Sequence, residues 1–528
     1  VAVIGGGIGG LTTAALLGKR GLKVVLLEQR EALGGLTSTE ELVPGVPCDI
    51  VDHELGWIPA DVLDELGLNR PGLEIARLVP HVTSLVPDSG ERVTLYPDVQ
   101  RTVAELMRHS RRDGAAWPAF AERVAQLSGF LQSLYSVPAP SLFATGAANL
   151  LTMLGLGRKV RSLGRAGIFD LLRTLPMSIA DVLDETFENA ALKGLLASRG
   201  VTRILQGPRS GATAFLFLHQ HVGLPAGAVR GSISPRGGVS SLTTALAVIA
   251  KSHGVAIRTG ASVAQIGVRR DRVTGVVLDS GEEINATHVV SSLDARRTMH
   301  DLIEPEYVEP ELSRAIGHIR MRGATAKVNL AIDAPLPVAD DLMGGTFVVA
   351  PSMQYLEKAF DSAKHGHVAG NPFLEIRLSD AQGPDGPPAS RGVSVLVQWA
   401  PYHLQNATWD NAARDALADN VLRTIERVIP GFTSRVVHRQ VLSPLDIEQR
   451  YGASEGSLTH GELALDQILF MRPVPAISRY RSNAIEGLYL CGRGCHPGMP
   501  LPAALLAARE INRAARGREP AASAPPAA

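Results

Sequence analysis

VAVIGGGIGGLTTAALLGKRGLKVVLLE, residues 1–28, has the order strand, glycine turn, helix, strand, acid. The apolar run 1–4 suits a central parallel strand, which is buried on both faces. Gly5, Gly7 and Gly10 follow in G-x-G-x-x-G spacing, an Ala- and Leu-rich stretch covers 11–20, and residues 23–27 read as a second strand ending on Glu28. Each part has a physical task in gripping a dinucleotide. Gly5 permits the tight turn, Gly7 lets the backbone approach a pyrophosphate, and Gly10 lets the helix pack on the strand. The helix start offers free N–H groups and a positive dipole end to phosphates. Glu28 is placed to take ribose hydroxyls, and its charge disfavours a 2′-phosphate.

Outward from this motif, 528 residues suffice for two domains. The 52 basic residues are balanced by 52 acidic ones, which argues against nucleic acid as a partner. Three cysteines (Cys48, Cys491, Cys495) are too few for a disulfide framework and fit a reducing, cytoplasmic compartment. A strand at the very first residue predicts that a short piece precedes Val1, so no targeting signal is read. Residues 124–157 carry no charge, but prolines and glycines interrupt them before they reach a membrane-spanning length. Arg158, Lys159, Arg161 and Arg165 follow, so this region is expected either as a buried helix pair or as a peripheral membrane contact. No G-x-S-x-G or H-E-x-x-H motif supports a hydrolase.

Two further segments return to the cradle. Residues 234–250, SPRGGVSSLTTALAVIA, run from a Gly pair into a helix, followed by strands at 255–258, 263–266, 273–278 and 287–291. Near the other end, a strand at 487–490 leads into CGRGCHPGMPLP, 491–502, and a helix over 503–516 whose start is fixed by Pro500 and Pro502. The α/β class is therefore a Rossmann-type dinucleotide domain assembled from three chain segments, roughly 1–60, 228–300 and 480–516. An α+β substrate domain (61–227 and 301–479) is inserted between them. Within it, helices are expected over 101–109, 117–134, 179–198 and 411–428, and strands over 326–332 and 393–399. Residues 382–391 read as a Gly/Pro loop, and the tail 517–528 as disordered.

The second glycine pair, Gly34-Gly35 in EQREALGGLTST, resembles FAD enzymes of the amine oxidase and phytoene desaturase superfamily. The absence of a second G-x-G-x-x-G agrees with a single resident FAD. Over 1–498 the chain resembles the phytoene desaturase-like FAD oxidoreductases, in the branch of the pyridine nucleotide-disulfide oxidoreductase domain-containing and carotenoid ketolase-like proteins. The matching stretches are GGGIGGL, GPRSGATAF, SPRGGVSSLTTALA, ASEGSLTHG and THGELALDQILFMRPVPAISRYRSNAIEGLYLCGRGCHPG. No C-x4-C redox pair accompanies them. The resemblance implies that Gln29, Arg30, Gly34 and Gly35 join Gly5, Gly7, Gly10 and Glu28 at the cofactor. It also implies that Val263 meets the adenine, and that Gly492 and Pro502 belong to the turn against the flavin ring. One departure stands out: Met499-Pro500-Leu501-Pro502 occupies the place of a small, Gly-rich run, which predicts a narrower space over the ring or a displaced helix.

The resemblance further implies a desaturase, dehydrogenase or oxidase that moves a hydride from an apolar or amphipathic molecule, carotenoid- or isoprenoid-like, to flavin N5. Oxygen or a quinone would be the acceptor. A redox-neutral flavin isomerase and a flavin-binding interaction protein stay open as alternatives, as does a homo-oligomer. His496, Arg493 and Cys495 are the catalytic candidates because they sit in the flavin turn. Cys495 is read as a thiol beside the flavin, as a covalent attachment point, or as a packed, inert residue. His219, His221, Phe217, Gln467 and Arg472 are candidate pocket residues. The two histidines have the i, i+2 spacing of a strand, and with no third ligand at a suitable spacing no metal is expected. His460, Glu462 and Asp466 complete a polar set before the last strand, and His53 and Glu54 are weaker candidates.

Overall fold

The apolar residues of Ala2–Ile4 are almost wholly buried, and this strand is the middle of a five-stranded parallel sheet. In the computed structural model, which describes residues 1–70, 73–139, 154, 155, 157–161, 163–228, 233–333, 344–378 and 391–517, the strand order is Leu488–Leu490, Val289–Ser291, Ala2–Ile4, Val25–Leu27, Ala256–Arg258. Every neighbouring pair is parallel. The strands come from separated parts of the chain and are covered by the helices Ile8–Lys19, Ser240–Ser252 and Pro500–Ala515. Both faces of the central strands are thus dry, which is why they read as continuous apolar runs. A three-stranded antiparallel sheet, Val263–Arg269, Arg272–Leu278 and Glu283–Asn285, adjoins the parallel one.

A seven-stranded sheet forms the second layer, in the order Val436–Leu442, Thr325–Ile332, Arg391–Gln398, Phe373–Leu378, Thr346–Val349, Val82–Leu85, Arg92–Leu95. Its period-two pattern sorts two different faces. Ala326, Val328, Leu330, Leu374, Ile376, Val393, Val395 and Val397 pack with Leu417, Val421 and Ile425 of the helix Asn411–Glu426. The alternate positions are polar and equally buried: Lys327, Asn329, Glu375, Arg377, Ser394 and Gln398. Lys327, Asn329, Glu375 and Ser394 contact the segment around Asp49–Glu54, so the first chain segment lies on a buried, charged surface, while Gln398 bonds to the carbonyls of Val201 and Ile204.

The helical layer differs from expectation in two places. The helix expected over 179–198 is two, Ile179–Thr186 and Ala190–Arg199. Asp113 accepts the backbone N–H groups of Glu188 and Asn189 at 2.9 and 2.8 Å, and Asn189 caps the second helix, so the path breaks there. The run containing His219 and His221 is the helix Thr213–Gln220, with His221 just past its end, and not a strand. Every residue from Thr213 to His219 is buried, so no polar face marks the period, and a uniformly apolar run is ambiguous between the two conformations. The expected helix start at 503 moves to Pro500, which takes the first helical position. The loop 382–390, the tail beyond 517 and most of the uncharged region after 139 lie outside the described residues.

Candidate functional site

A cavity opens where Ala2–Ile4, Val25–Leu27 and Val289–Ser291 end, outside the carboxyl ends of the parallel strands. Gly5, Gly7, Glu28, Gln29, Arg30, Gly34, Gly35, Val263, Gly492 and Arg493 all line it. Gly7 faces open space: a Cβ there would have no neighbour nearer than 3.9 Å. Gly10 does not line the cavity and serves packing, since a Cβ would lie 2.0 Å from the Gly5 carbonyl. A Cβ on Gly9 would lie 2.9 Å from Gly492 Cα, so the first and last segments touch at this point. Glu28 is buried and its two oxygens accept from Gly6 N (2.6 Å) and Arg30 N (2.9 Å), which fixes the carboxylate at the end of its strand. The Arg30 guanidinium pairs with Glu40 and stacks 4.7 Å from the Tyr451 ring centre.

The C-terminal turn forms the opposite wall. Arg493 donates to Asp52, to Thr37 Oγ1 (3.2 Å) and to the Leu458 carbonyl (3.3 Å), and Arg203 reaches Asp52 at 3.1 Å. Burial alone would raise the Asp52 carboxyl, but the guanidiniums of Arg493 and Arg203 outweigh it and hold it below the usual range. His460 also lines the cavity; its Nδ1 is buried without a hydrogen-bond partner, and burial pushes its pKa down to about 4. Pro500, not Pro502, lines the cavity. Pro502 points into the helix packing and is buried.

His496 and Cys495 are turned away from the cavity. His496 Nε2 donates to the Val137 carbonyl at 3.2 Å, its ring lies 5.9 Å from that of Tyr135, and burial lowers its pKa to about 4. Tyr135 is in turn hydrogen-bonded to His219 Nδ1 at 2.9 Å, and burial pushes His219 down to about 3. Cys495 and Cys491 are free, buried thiols whose pKa values burial raises, that of Cys491 to about 12, which removes the thiolate needed for disulfide exchange or flavin attachment.

The remaining pocket candidates hold structure. Phe217 packs 6.2 Å from the Phe120 ring, and His221 bonds back to the Phe217 carbonyl. Arg472 is fully buried and donates to the carbonyls of Thr459, Gly461, Glu462, Gln467 and Arg493. Gln467 accepts from Arg320 N at 2.9 Å and donates to the Glu462 carbonyl at 3.0 Å.

Sequence reasoning missed Thr37, Asp52, Ser292, Arg297 and Tyr451 as site residues, because none lies in a motif with its own spacing. It also missed a buried ion network behind Asp52. Lys327 Nζ contacts His53 Nδ1 at 3.0 Å and donates to Ser394 Oγ at 2.5 Å, and burial lowers its pKa to about 8. His53, Glu54 and Glu375 offer atoms within 4.8 Å of one another, a spacing a metal could use. Lys327 on His53 and Arg199 on Glu54 already compensate that group with positive charge.

A family model described as flavin containing amine oxidoreductase matches residues 8–515. The chain is 30% identical over 522 residues to pyridine nucleotide-disulfide oxidoreductase domain-containing protein 2 of Rattus norvegicus, covering 94% of this chain and 90% of that protein. It is 26% identical over 545 residues to phytoene desaturase (neurosporene-forming) of Rhodobacter capsulatus, covering 99% and 95%. The crystal structure of an oxidoreductase from Methanosarcina mazei matches with a TM-score of 0.58 at 15% identity, over 97% of this chain and 99% of that one, a likeness of fold.

Proposed function

The chain belongs to the flavin containing amine oxidoreductase family, and from that premise we propose that this FAD-dependent enzyme dehydrogenates an apolar or amphipathic small molecule. The residues present fit the cofactor. The backbones of Gly7 and Gly35 line the cavity beside a helix start, which suits a pyrophosphate, and Glu28 stands at the end of its strand where a ribose would lie. In this reading Glu28 holds the ribose, the Gly5–Gly7 and Gly34–Gly35 backbones hold the pyrophosphate, Val263 lies at the adenine, and Gly492, Arg493 and Pro500 bound the ring end. Bound FAD supplies a two-electron acceptor for a hydride. Arg493, fixed by Asp52 and Thr37, orients the turn; His460, neutral at physiological pH, is placed to take the proton released from a substrate carbon or heteroatom.

The observation that carries the apolar substrate is the sequence relationship to a phytoene desaturase. The core packed behind the turn, where Met499, Leu463 and Ile468 join Trp117, Phe120, Phe187 and Phe217, is apolar as well, although it does not line the cavity. Oxygen or a quinone would then remove the electrons. The test is anaerobic bleaching of the flavin absorbance of the purified, FAD-loaded protein by fractions of a cell extract. Bleaching by the lipid-soluble fraction is expected. Bleaching by water-soluble amines alone would overturn the reading.

A further inference from the structure

The helix Gly164–Thr174 has an unusual outer side. Its inner side is pinned to the helix Arg111–Tyr135: Leu171 and Thr174 are buried, and Asp170 accepts two bonds from Arg123 at 2.9 and 2.6 Å. On the outer side Phe169 and Leu172, three residues apart and therefore on one face, are 62% and 64% exposed. Arg165, one turn before Phe169, holds its guanidinium 5.8 Å from that ring. Arg158, Arg161 and Arg165 are all exposed and form no ion pair with any described residue. Of seven exposed large apolar side chains among the described residues, three (Leu154, Phe169, Leu172) fall within 154–172.

We propose that this face docks the protein on a lipid bilayer bearing anionic headgroups, with Phe169 and Leu172 entering the interface and Arg158, Arg161 and Arg165 meeting the headgroups. Exposed large apolar side chains with an unpaired basic one on the same helix, and two more just before its start, follow the pattern of an interfacial amphipathic helix. Neither half suffices alone, because two apolar side chains give marginal partitioning and three charges give salt-sensitive attraction. The described residues contain no helix long and apolar enough to cross a membrane, so the contact is peripheral. The position is also apt. Lys159 Nζ donates to the Ser133 carbonyl at 2.9 Å, two residues before Tyr135, whose ring lies 5.9 Å from His496. The docking face and the C-terminal turn are therefore joined by the last turn of one helix. The docking does not depend on which substrate the enzyme takes.

The test is flotation of the FAD-loaded protein with vesicles of phosphatidylcholine, or of phosphatidylcholine mixed with phosphatidylglycerol. Wild type is expected to float with the mixed vesicles and to dissociate as salt is raised. R158Q/R161Q/R165Q should weaken partitioning by about a hundredfold. F169S/L172S should abolish it at any salt, and both variants should keep their flavin spectrum, which shows that they fold. Variants that float like wild type would overturn the proposal. So would a wild type that ignores both vesicles but forms a dimer abolished by F169S/L172S, because the face would then belong to a second copy.

Discussion

Asp52 and Arg493 form an ion pair across 441 residues of chain, and that contact closes the first and last segments around one cavity. Asp52 is 1% exposed and is also held by Arg203, so it neutralises part of two guanidiniums in a dry place. Asp52→Asn leaves both cations short of a counter-charge. Breaking a buried pair from one side costs about 3–5 kcal/mol. The expected result is a lower melting temperature and a lower ratio of bound FAD to protein, read by thermal melts with and without added FAD.

Arg472 makes its contacts with backbone alone. Five carbonyls of the loop 459–467 and of Arg493 converge on it, and although burial lowers its pKa to about 10 it stays charged at neutral pH. Each carbonyl left without a donor costs about 1–3 kcal/mol. Arg472→Met should therefore give little folded protein. Arg472→Lys has too few donors in the wrong geometry, and should fold with the loop loosened, seen as faster proteolytic cleavage between 459 and 472.

The near wall was legible because its glycines and acid follow a fixed spacing: Gly5, Gly7 and Glu28, with Gly35 from the second glycine pair, all line the cavity. The far wall was legible only as a turn. Which of its side chains face the cavity depends on rotation about the strand Leu488–Leu490, and the sequence carries no period there; hence His460 and Pro500 line the cavity while His496 and Pro502 do not. Lys327 escaped notice for another reason. Polar residues alternating along Thr325–Ile332 suggest a solvated face, whereas here that face is covered by the segment around Asp49–Glu54.

Four histidines whose pKa values are lowered make stability sensitive to acid. Burial lowers His53, His460 and His496 to about 4 and His219 to about 3, against 6.5 for the free group. As pH falls from 6.5 toward 4 the unfolded chain takes up protons that the folded chain does not. Stability is therefore full above the unfolded value and falls through that window. At about pH 5 each group costs about 2 kcal/mol relative to neutral pH. The melting temperature should drop steeply below about pH 6.5, and His219→Gln, which does not titrate, should flatten the slope, even if its absolute stability is lower.

His460 faces the cavity with an uncharged ring, so its removal should affect turnover more than cofactor content. His460→Gln should keep its bound FAD while kcat falls by about a hundredfold or more, as loss of a positioned base does. In wild type kcat/KM should decline as pH approaches the histidine value of about 4, and that limb should be missing in the variant. Equal losses of FAD and of turnover would instead make His460 a structural residue.

The two prolines of Met499-Pro500-Leu501-Pro502 bear on the cofactor through what they lack. The first turn of the helix Pro500–Ala515 would ordinarily offer unpaired N–H groups, but Pro500 and Pro502 have none, so Leu501 alone keeps a donor among the first three positions. Pro500 lines the cavity and Pro502 does not. Pro500→Ala adds a donor at the cavity wall, where it favours the more negatively charged reduced cofactor. A hydrogen bond of about 1 kcal/mol corresponds to roughly 20 mV for two electrons, so the midpoint potential of the bound FAD should rise by about that amount. Pro502→Ala adds its donor within the packed helix and should leave the potential unchanged. Spectroelectrochemical titration of both variants reads the difference directly; a shift in Pro502→Ala with none in Pro500→Ala would place the ring against the other edge of the turn.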